Sequence, residues 1–402
     1  MIRSLAGAIA SLLWGAPAMA RPEYALKTKL NCTACHVTPW GGGPRNLMGK
    51  AYGAHGHAPS KISMYSDLYY GDVRFIDYIP TAPTTGASGA SLMEAAITGD
   101  VPIIQGERGQ EMRAVLTYND ATLSGSQVRE AYVRFQMPSD HEADATYVLL
   151  GRFYVPFGLL TDEHRTYAQI QTDSRLNDYD VGADLSGNFS HDWHYDLAVV
   201  NNLNTGGNFT AQDWSLAGVV NFRWNPAHLP VLLGLSGEYE RYSFNPTPYA
   251  GAFYAGLSLD GISHGSLKGS VFYEFVGAKN WDSPAVNGGG INPGLGSFFV
   301  PASQGAYLNS LSSSTSLGQY VWLRYELSQF WNLIYKMDYL ALDASNTGDA
   351  YWRHGFGFES FLNSNLILDA RFEKAFAGAP GIGGNDVLAV QSDFLVMLRL
   401  WI

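Results

Sequence analysis

The sequence predicts an all-β protein, a closed antiparallel barrel of about sixteen strands that crosses a membrane. Three observations predict it. Apolar and polar residues alternate along one segment after another, as side chains do on the two faces of a strand. Such segments recur to the last residue, separated by Gly, Asn, Asp and Pro. The composition is unlike that of a soluble domain: charged residues are 15%, aromatics 13%, and glycine accounts for 44 of 402 residues.

The alternation can be read residue by residue. In WSLAGVVNFRW, Trp214, Leu216, Val220, Phe222 and Trp224 fall on one face, opposite Ser215, Asn221 and Arg223. In VREAYVRFQM, Ala131, Val133, Phe135 and Met137 oppose Arg134 and Gln136. In SLKGSVFYEF, Leu267, Val271, Tyr273 and Phe275 oppose Lys268, Ser270 and Glu274. In NLILDARFEK, Leu366, Leu368, Ala370 and Phe372 oppose Asp369, Arg371 and Glu373.

Candidate strands run over 66–79, 91–98, 111–119, 128–137, 146–155, 166–173, 178–188, 193–202, 213–224, 230–242, 249–260, 265–276, 318–328, 331–341, 353–362, 365–374 and 387–402. That is one more than an even number, and single-chain bacterial outer-membrane barrels use even counts, so one candidate is surplus and about sixteen are expected. The chain from residue 66 to residue 402 is long enough for them, at roughly 10 residues per tilted strand plus connections. A soluble β-sandwich or β-helix also alternates, but it buries its apolar face and has little need of aromatics at strand ends. Trp193, Trp224, Trp281, Trp322, Trp331, Trp352 and Trp401 all lie near candidate strand termini, which suits aromatic girdles at two membrane interfaces. The chain closes on FLVMLRLWI, an apolar strand with its aromatic next to last rather than last.

The polar faces of these strands should line a lumen. They carry Arg134, Asp180, Asp184, Arg223, Glu238, Glu240, Lys268, Glu274, Arg324, Glu326, Lys336, Asp338, Asp369, Arg371 and Glu373. Acid is in excess, with a net charge of -11. An acidic chain excludes nucleic acid as a partner, which wants a basic face, and an acidic lumen favours cations. Two connections stand out. Residues 277–317 contain no convincing strand and read as a long extracellular loop. In GRFYVPFGLLTDEHRTY, residues 151–167, Pro156 and Gly158 should end a strand, leaving Glu163, His164 and Arg165 at a rim.

The N-terminus is different in kind. Residues 1–20 carry one Arg, an apolar stretch from Leu5 to Trp14, and a small-x-small close at Ala18-Met19-Ala20. That is a secretory signal, and its apolar core is too short for a membrane span. Export sets the context for the only two cysteines, in KLNCTACHVTPWGGGPRN. Cys32 and Cys35 admit a disulfide, a redox-active pair, half a zinc site or the attachment of haem c. Zinc lacks a second ligand pair at matching spacing. A thioredoxin-like pair lacks its strand–helix setting, because Pro39 and Gly41–Gly43 follow at once. Haem attachment uses all three residues: two thiols for the vinyl groups, and His36 to ligate the iron from one face. Residues 21–65 then form a small cytochrome-like segment ahead of the barrel at 66–402. For the second axial position that segment offers Met48, His55 and His57, and five-coordinate iron is the alternative. A segment this short has little core of its own and should lean on the barrel as a plug.

With these elements assembled, the chain resembles the fused monohaem cytochrome–porins of the bacterial outer membrane, the outer-membrane iron oxidases. The family's P-x-[FY]-A-x-x-T lead is matched by Pro22, Tyr24, Ala25 and Thr28, and its G-[RK]-A-[FY] step by Gly49, Lys50, Ala51 and Tyr52. Leu26 and Lys27 stand where the family usually has Arg and Gln, and the run Trp40-Gly41-Gly42-Gly43 is foreign to it. The resemblance implies a one-electron conduit acting as an Fe(II):cytochrome c oxidoreductase. It would run between extracellular Fe(II), or another donor too insoluble to import, and a periplasmic electron-carrier cytochrome, in a setting of outer-membrane lipid. The family residue aligned with Met48 is usually aromatic, which points the sixth-ligand expectation to His57 or His55. A second reading from another class is a passive, substrate-selective porin whose haem segment gates, senses or scavenges.

Overall fold

The computed structural model describes residues 25, 28, 35, 49, 69–80, 89–106, 110–120, 127–138, 146–161, 163, 166–169, 172, 179–190, 192–201, 216–241, 247–280, 315–328, 330–341, 344–345, 350–363, 366–377 and 392–401. Sixteen strands follow one another: β1 Tyr69–Pro80, β2 Gly89–Gln105, β3 Glu111–Asp120, β4 Gln127–Gln136, β5 Tyr147–Tyr154, β6 Tyr179–Ser190, β7 Trp193–Asn201, β8 Leu216–Trp224, β9 Val231–Arg241, β10 Tyr249–Ser258, β11 Gly269–Lys279, β12 Thr315–Glu326, β13 Trp331–Ala341, β14 Tyr351–Asn363, β15 Leu366–Ala377 and β16 Ser392–Trp401. Each pairs antiparallel with its neighbours in sequence. β1 closes the barrel on β16, in register from Asp72↔Trp401 to Pro80↔Asp393. Closure leaves no unpaired edge, which is what allows a sheet to stand in hydrocarbon.

Alternation puts the apolar face outward. On β8, Leu216 and Val220 are exposed and Phe222 and Trp224 half-exposed, while Asn221 and Arg223 are buried inward. The same sorting leaves Ile97, Leu116, Leu150, Leu235, Phe356 and Phe372 exposed on the outside. Water would not tolerate an apolar band of this extent, whereas lipid requires it. Trp193 and Trp224 pair across β7 and β8, 6.0 Å between ring centroids, and Trp331 is exposed at the same end. Trp352 is exposed at the other.

The two ends of the barrel differ. Connections at one end are the shorter set, none above ten residues: 106–110, 137–146, 191–192, 225–230, 259–268, 327–330 and 364–365. At the other end they span 155–178, 202–215, 280–314 and 378–391. Short turns face the periplasm and long loops the exterior. β1 starts, and β16 ends, at the short-turn end.

Four expectations need correction. In the surplus candidate at 166–173 the described residues, 166–169 and 172, form no strand: Thr166, Tyr167, Ala168, Gln169 and Thr172 are all buried and so have no solvated side. Trp322 does not join a girdle. It points inward on β12, with the Arg371 guanidinium 5.7 Å from its ring centroid. Lys268 is exposed in the connection between β10 and β11 and does not line the lumen, whereas Glu326, half-exposed at the last position of β12, keeps the inward parity of Arg324. The stretch expected as strand at 249–260 ends at Ser258, which caps a one-turn helix, Leu259–Ile262.

Candidate functional site

The lumen is divided by the segment that follows β5. Gly158 has φ +69, a conformation glycine adopts freely, and a Cβ there would collide with the Glu274 carboxylate and with Gln169. The turn at Gly158 sends the chain inward across the barrel to β11, where the Leu159 amide donates to Glu274 Oε1 at 2.6 Å. Gln169 Nε2 donates to the same oxygen at 3.1 Å and to the Leu159 carbonyl at 3.0 Å, stapling the two limbs of the loop together. Farther on, the Tyr167 amide donates to Asp338 Oδ1 at 3.0 Å, and the Arg353 guanidinium sits 4.4 Å over the Tyr167 ring. On β12, Gly318 makes room for the loop, since a Cβ there would lie 2.6 Å from Ala168 Cα.

Glu163 is the latch. It lies between Lys336 Nζ, at 3.2 Å, and the Arg371 guanidinium, which donates to its other oxygen. Burial opposes its charge, but Arg371 and Lys336 outweigh that and hold its carboxyl well below the usual carboxylate range. The rim placement expected for Glu163 is therefore wrong. The loop is pulled into the lumen because β13 and β15 offer it two buried cations. His164 and Arg165 lie outside the described residues.

Behind the latch, the wall is a closed network of ion pairs. Arg353 donates twice to Asp338 Oδ2, at 2.9 and 2.8 Å. Lys336 also stands 3.5 Å from Asp338 and 3.7 Å from Glu373. Arg371 contacts Asp369 at 3.2 Å, and Arg324 contacts Glu359 at 2.9 Å. Across the lumen, β6 to β9 turn Asp180, Asp184, Asp196, Glu238 and Glu240 inward, with Arg223 and His194 among them. Asp196 accepts from Ser186 Oγ at 2.8 Å and lies 3.1 Å from His194 Nε2. Asp184 meets no cation among the described residues, and the charged group that acts on it there is Asp196. Among the described residues this wall carries five buried carboxylates to one arginine and one histidine. No group of three or more His, Cys, Asp or Glu among the described residues is arranged to hold a metal ion.

Of the residues expected to attach and ligate haem, only Cys35 lies among the described ones. It is half-buried in a turn. Cys32, His36, Met48, His55 and His57 lie outside them. Ala25, Thr28 and Gly49, three of the motif positions, are helical, and Ala25 and Gly49 are buried. The Ala25 carbonyl accepts a hydrogen bond from Asn225 Nδ2 at 2.9 Å. Asn225 opens the β8–β9 turn, and its own amide bonds to the Asp192 carbonyl in the β6–β7 turn. The N-terminal segment thus meets the barrel at the short-turn rim, seven residues ahead of Cys32. The donor set fits haem c: a thiol pair in C-x-x-C spacing with an imidazole next in sequence, and a Cys35 that is not sealed in a core.

No protein-family model matches the sequence, and no curated protein matches it either. Solved structures do match. The chain is similar to an anion-selective porin from Comamonas acidovorans, with a TM-score of 0.57 and 10% identity over 83% of this chain and 98% of that one. It is similar to the outer membrane channel DcaP of Acinetobacter baumannii, with a TM-score of 0.56 and 10% identity over 83% and 96% of the two chains. OprB of Pseudomonas putida matches with a TM-score of 0.57 and 9% identity over 84% and 94%. The fold is that of an outer-membrane porin. At these identities the likeness carries the barrel and its membrane setting, while the chemistry rests on this chain's own residues.

Proposed function

We propose that the chain is an outer-membrane electron conduit. In this reading a single haem c, attached through Cys32 and Cys35 and ligated by His36, passes electrons between an extracellular donor and a periplasmic cytochrome. The observation that carries the reading is the Cys32–Cys35–His36 triplet on a segment whose Ala25 is bonded to Asn225 at the short-turn rim. Haem supplies one-electron redox chemistry when bound. The chain's residues do the rest. Cys32 and Cys35 fix the group covalently, His36 takes one face of the iron, and His57, His55 or Met48 takes the other. Asn225 ties the segment to the periplasmic end, within reach of a soluble electron carrier. The excess of acid on the inner faces of β6 to β9 favours a cationic donor at the barrel, which suits Fe(II) and makes the activity that of an Fe(II):cytochrome c oxidoreductase.

The test is a haem stain of the purified protein on a denaturing gel, followed by visible spectra before and after adding Fe(II). Stain that survives denaturation, is lost in Cys32→Ala with Cys35→Ala, and belongs to a group reduced by Fe(II) is the expected result. A chain that carries no covalent haem ends the proposal.

One observation favours a second reading. The lumen holds a latched loop between walls of unlike charge, and the fold is shared with channels. A passive, substrate-selective porin would use the same parts. It would conduct ions in a planar bilayer with its N-terminal segment in place, and Fe(II) would leave any haem spectrum unchanged.

A further inference from the structure

Charges on the strands are sorted by face. Every strand carboxylate whose side chain is described points inward. The charged side chains described on the outer face are Arg152, Arg241, Lys279 and Lys374, all in the half of the barrel nearer the long loops. Lipid tolerates charge near an interface better than at the midplane, which accounts for their distance from the centre. Depth alone would admit both signs at both ends. The four described cations at this end offer charge to an anionic partner on the exterior side.

The most elaborated part of this surface is on β13 to β15. His354 and Lys374 are directly opposed across β14 and β15, where facing Cβ atoms stand about 5 Å apart. His354 is the fourth residue of β14 and Lys374 the fourth from the end of β15, about 10 Å along the strands from the long-loop end. Neighbouring side chains hold both. The His354 ring stacks on Trp352 at 6.3 Å and 3°, meets Phe376 edge-on at 6.1 Å, and has the Tyr335 hydroxyl 2.9 Å from Nδ1. That bond uses Nδ1 and leaves Nε2 for an outside partner. Lys374 Nζ lies 5.1 Å from the Phe376 ring. The next outward pair toward the membrane centre is Phe356 and Phe372, both exposed.

We propose that this face binds a phosphorylated lipid of the outer leaflet. The phosphate lies between Lys374 and His354, and the acyl chains lie over Phe356 and Phe372. Charge complementarity selects the headgroup, and the step from basic pair to phenyl pair matches the step from headgroup to acyl chain. The proposal goes beyond the electron-transfer reading and does not depend on haem.

The test uses the full chain in phosphatidylcholine vesicles with and without bis-phosphorylated lipid A. Native mass spectrometry reads the retained lipid, and heat-shifted gel migration reads folding and oligomeric state. The wild type should retain lipid A and unfold at a higher temperature with it present. Lys374→Gln with His354→Gln should retain about tenfold less, given the loss of two basic contacts at a charged surface, while Lys374→Arg should retain it. Lys374→Gln alone carries the same test if the double variant does not fold. Equal retention by the variants, or by lipid A stripped of its phosphates, overturns the proposal. So does a change of oligomeric state with lipid retention intact, which would assign the face to a contact between copies.

Discussion

The two walls of the lumen use the same side chains to opposite ends. On β12 to β15, Lys336, Arg353, Arg371 and Arg324 are matched by Asp338, Glu359, Asp369 and Glu373, and the remaining demand of Lys336 and Arg371 is met by Glu163 from the loop. On β6 to β9, carboxylates outnumber Arg223 and His194, and Asp184 meets no cation among the described residues. The first wall spends its charge internally, holding a loop in place. The second carries more acid than base among its described residues, set along the inner face of four consecutive strands. A count of charged residues cannot separate a structural network from a selectivity surface, whereas their pairing can.

The largest expected effect comes from removing the latch. Glu163→Gln leaves Lys336 and Arg371 short of a partner in a buried site, and breaking such a pair destabilises by about 3–5 kcal/mol. The expected readouts are a lower unfolding temperature and a larger, noisier single-channel conductance. An unchanged conductance would place the loop's hold elsewhere, with Glu274 and Gln169 as the next anchors. Gly158→Ala comes second. Its φ of +69 and the collision with Glu274 are local, so a strain of about 1–3 kcal/mol is expected. It should destabilise the loop and raise conductance less than Glu163→Gln does.

The acidic wall should answer differently. Asp184→Asn replaces a buried carboxyl that faces Asp196, with no cation beside it among the described residues, by a neutral group of the same shape, so stability should hold or rise. A unit charge acting through water at about 8 Å is worth about 0.5 kcal/mol, so any fall in the cation preference read from reversal potentials should stay within about twofold. A loss of stability without a change in reversal potential would make Asp184 structural. The smallest effect expected is of pH on the latch. Glu163 is held well below its ordinary value of 4.5, so its contribution is full above that pH and is lost only as pH falls through the lower folded value. Conductance should stay flat from pH 7 to pH 4.5 and rise only in stronger acid. A rise already at pH 5 would mean that Glu163 is not ion-paired.

The barrel was legible in the sequence because lipid on one side and a polar lumen on the other enforce a period of two over every strand, as on β8 and β15. The loop was not. Residues 166–173 mimic alternation, but Thr166 to Gln169 are enclosed on all sides, so polarity there reports hydrogen-bond partners rather than a face. Pro156 and Gly158 marked the strand's end without indicating that the chain then turns inward. That depends on Glu274, Asp338, Lys336 and Arg371, which are more than a hundred residues away. Trp322 misled for a similar reason, since a tryptophan near a strand end serves a girdle or a lumen depending on its parity. The Cys32–Cys35–His36 triplet was legible as chemistry, because attachment and ligation need only local spacing. Its ties to the barrel, such as the bond from Asn225 to Ala25, join residues two hundred positions apart and leave no local mark.

The measurement that bears most directly on the electron-conduit reading is transmembrane electron transfer in sealed vesicles. The purified chain is inserted into phosphatidylcholine vesicles loaded with an oxidised soluble cytochrome c, and Fe(II) is added outside. Reduction of the enclosed cytochrome should follow at a rate proportional to the amount of protein inserted. Cys32→Ala with Cys35→Ala, which keeps the barrel and loses the attachment site, should reduce it no faster than empty vesicles do. Equal rates for the wild type and this variant would mean that Fe(II) enters through an open pore and that the cysteines play no part in transfer, contradicting the conduit.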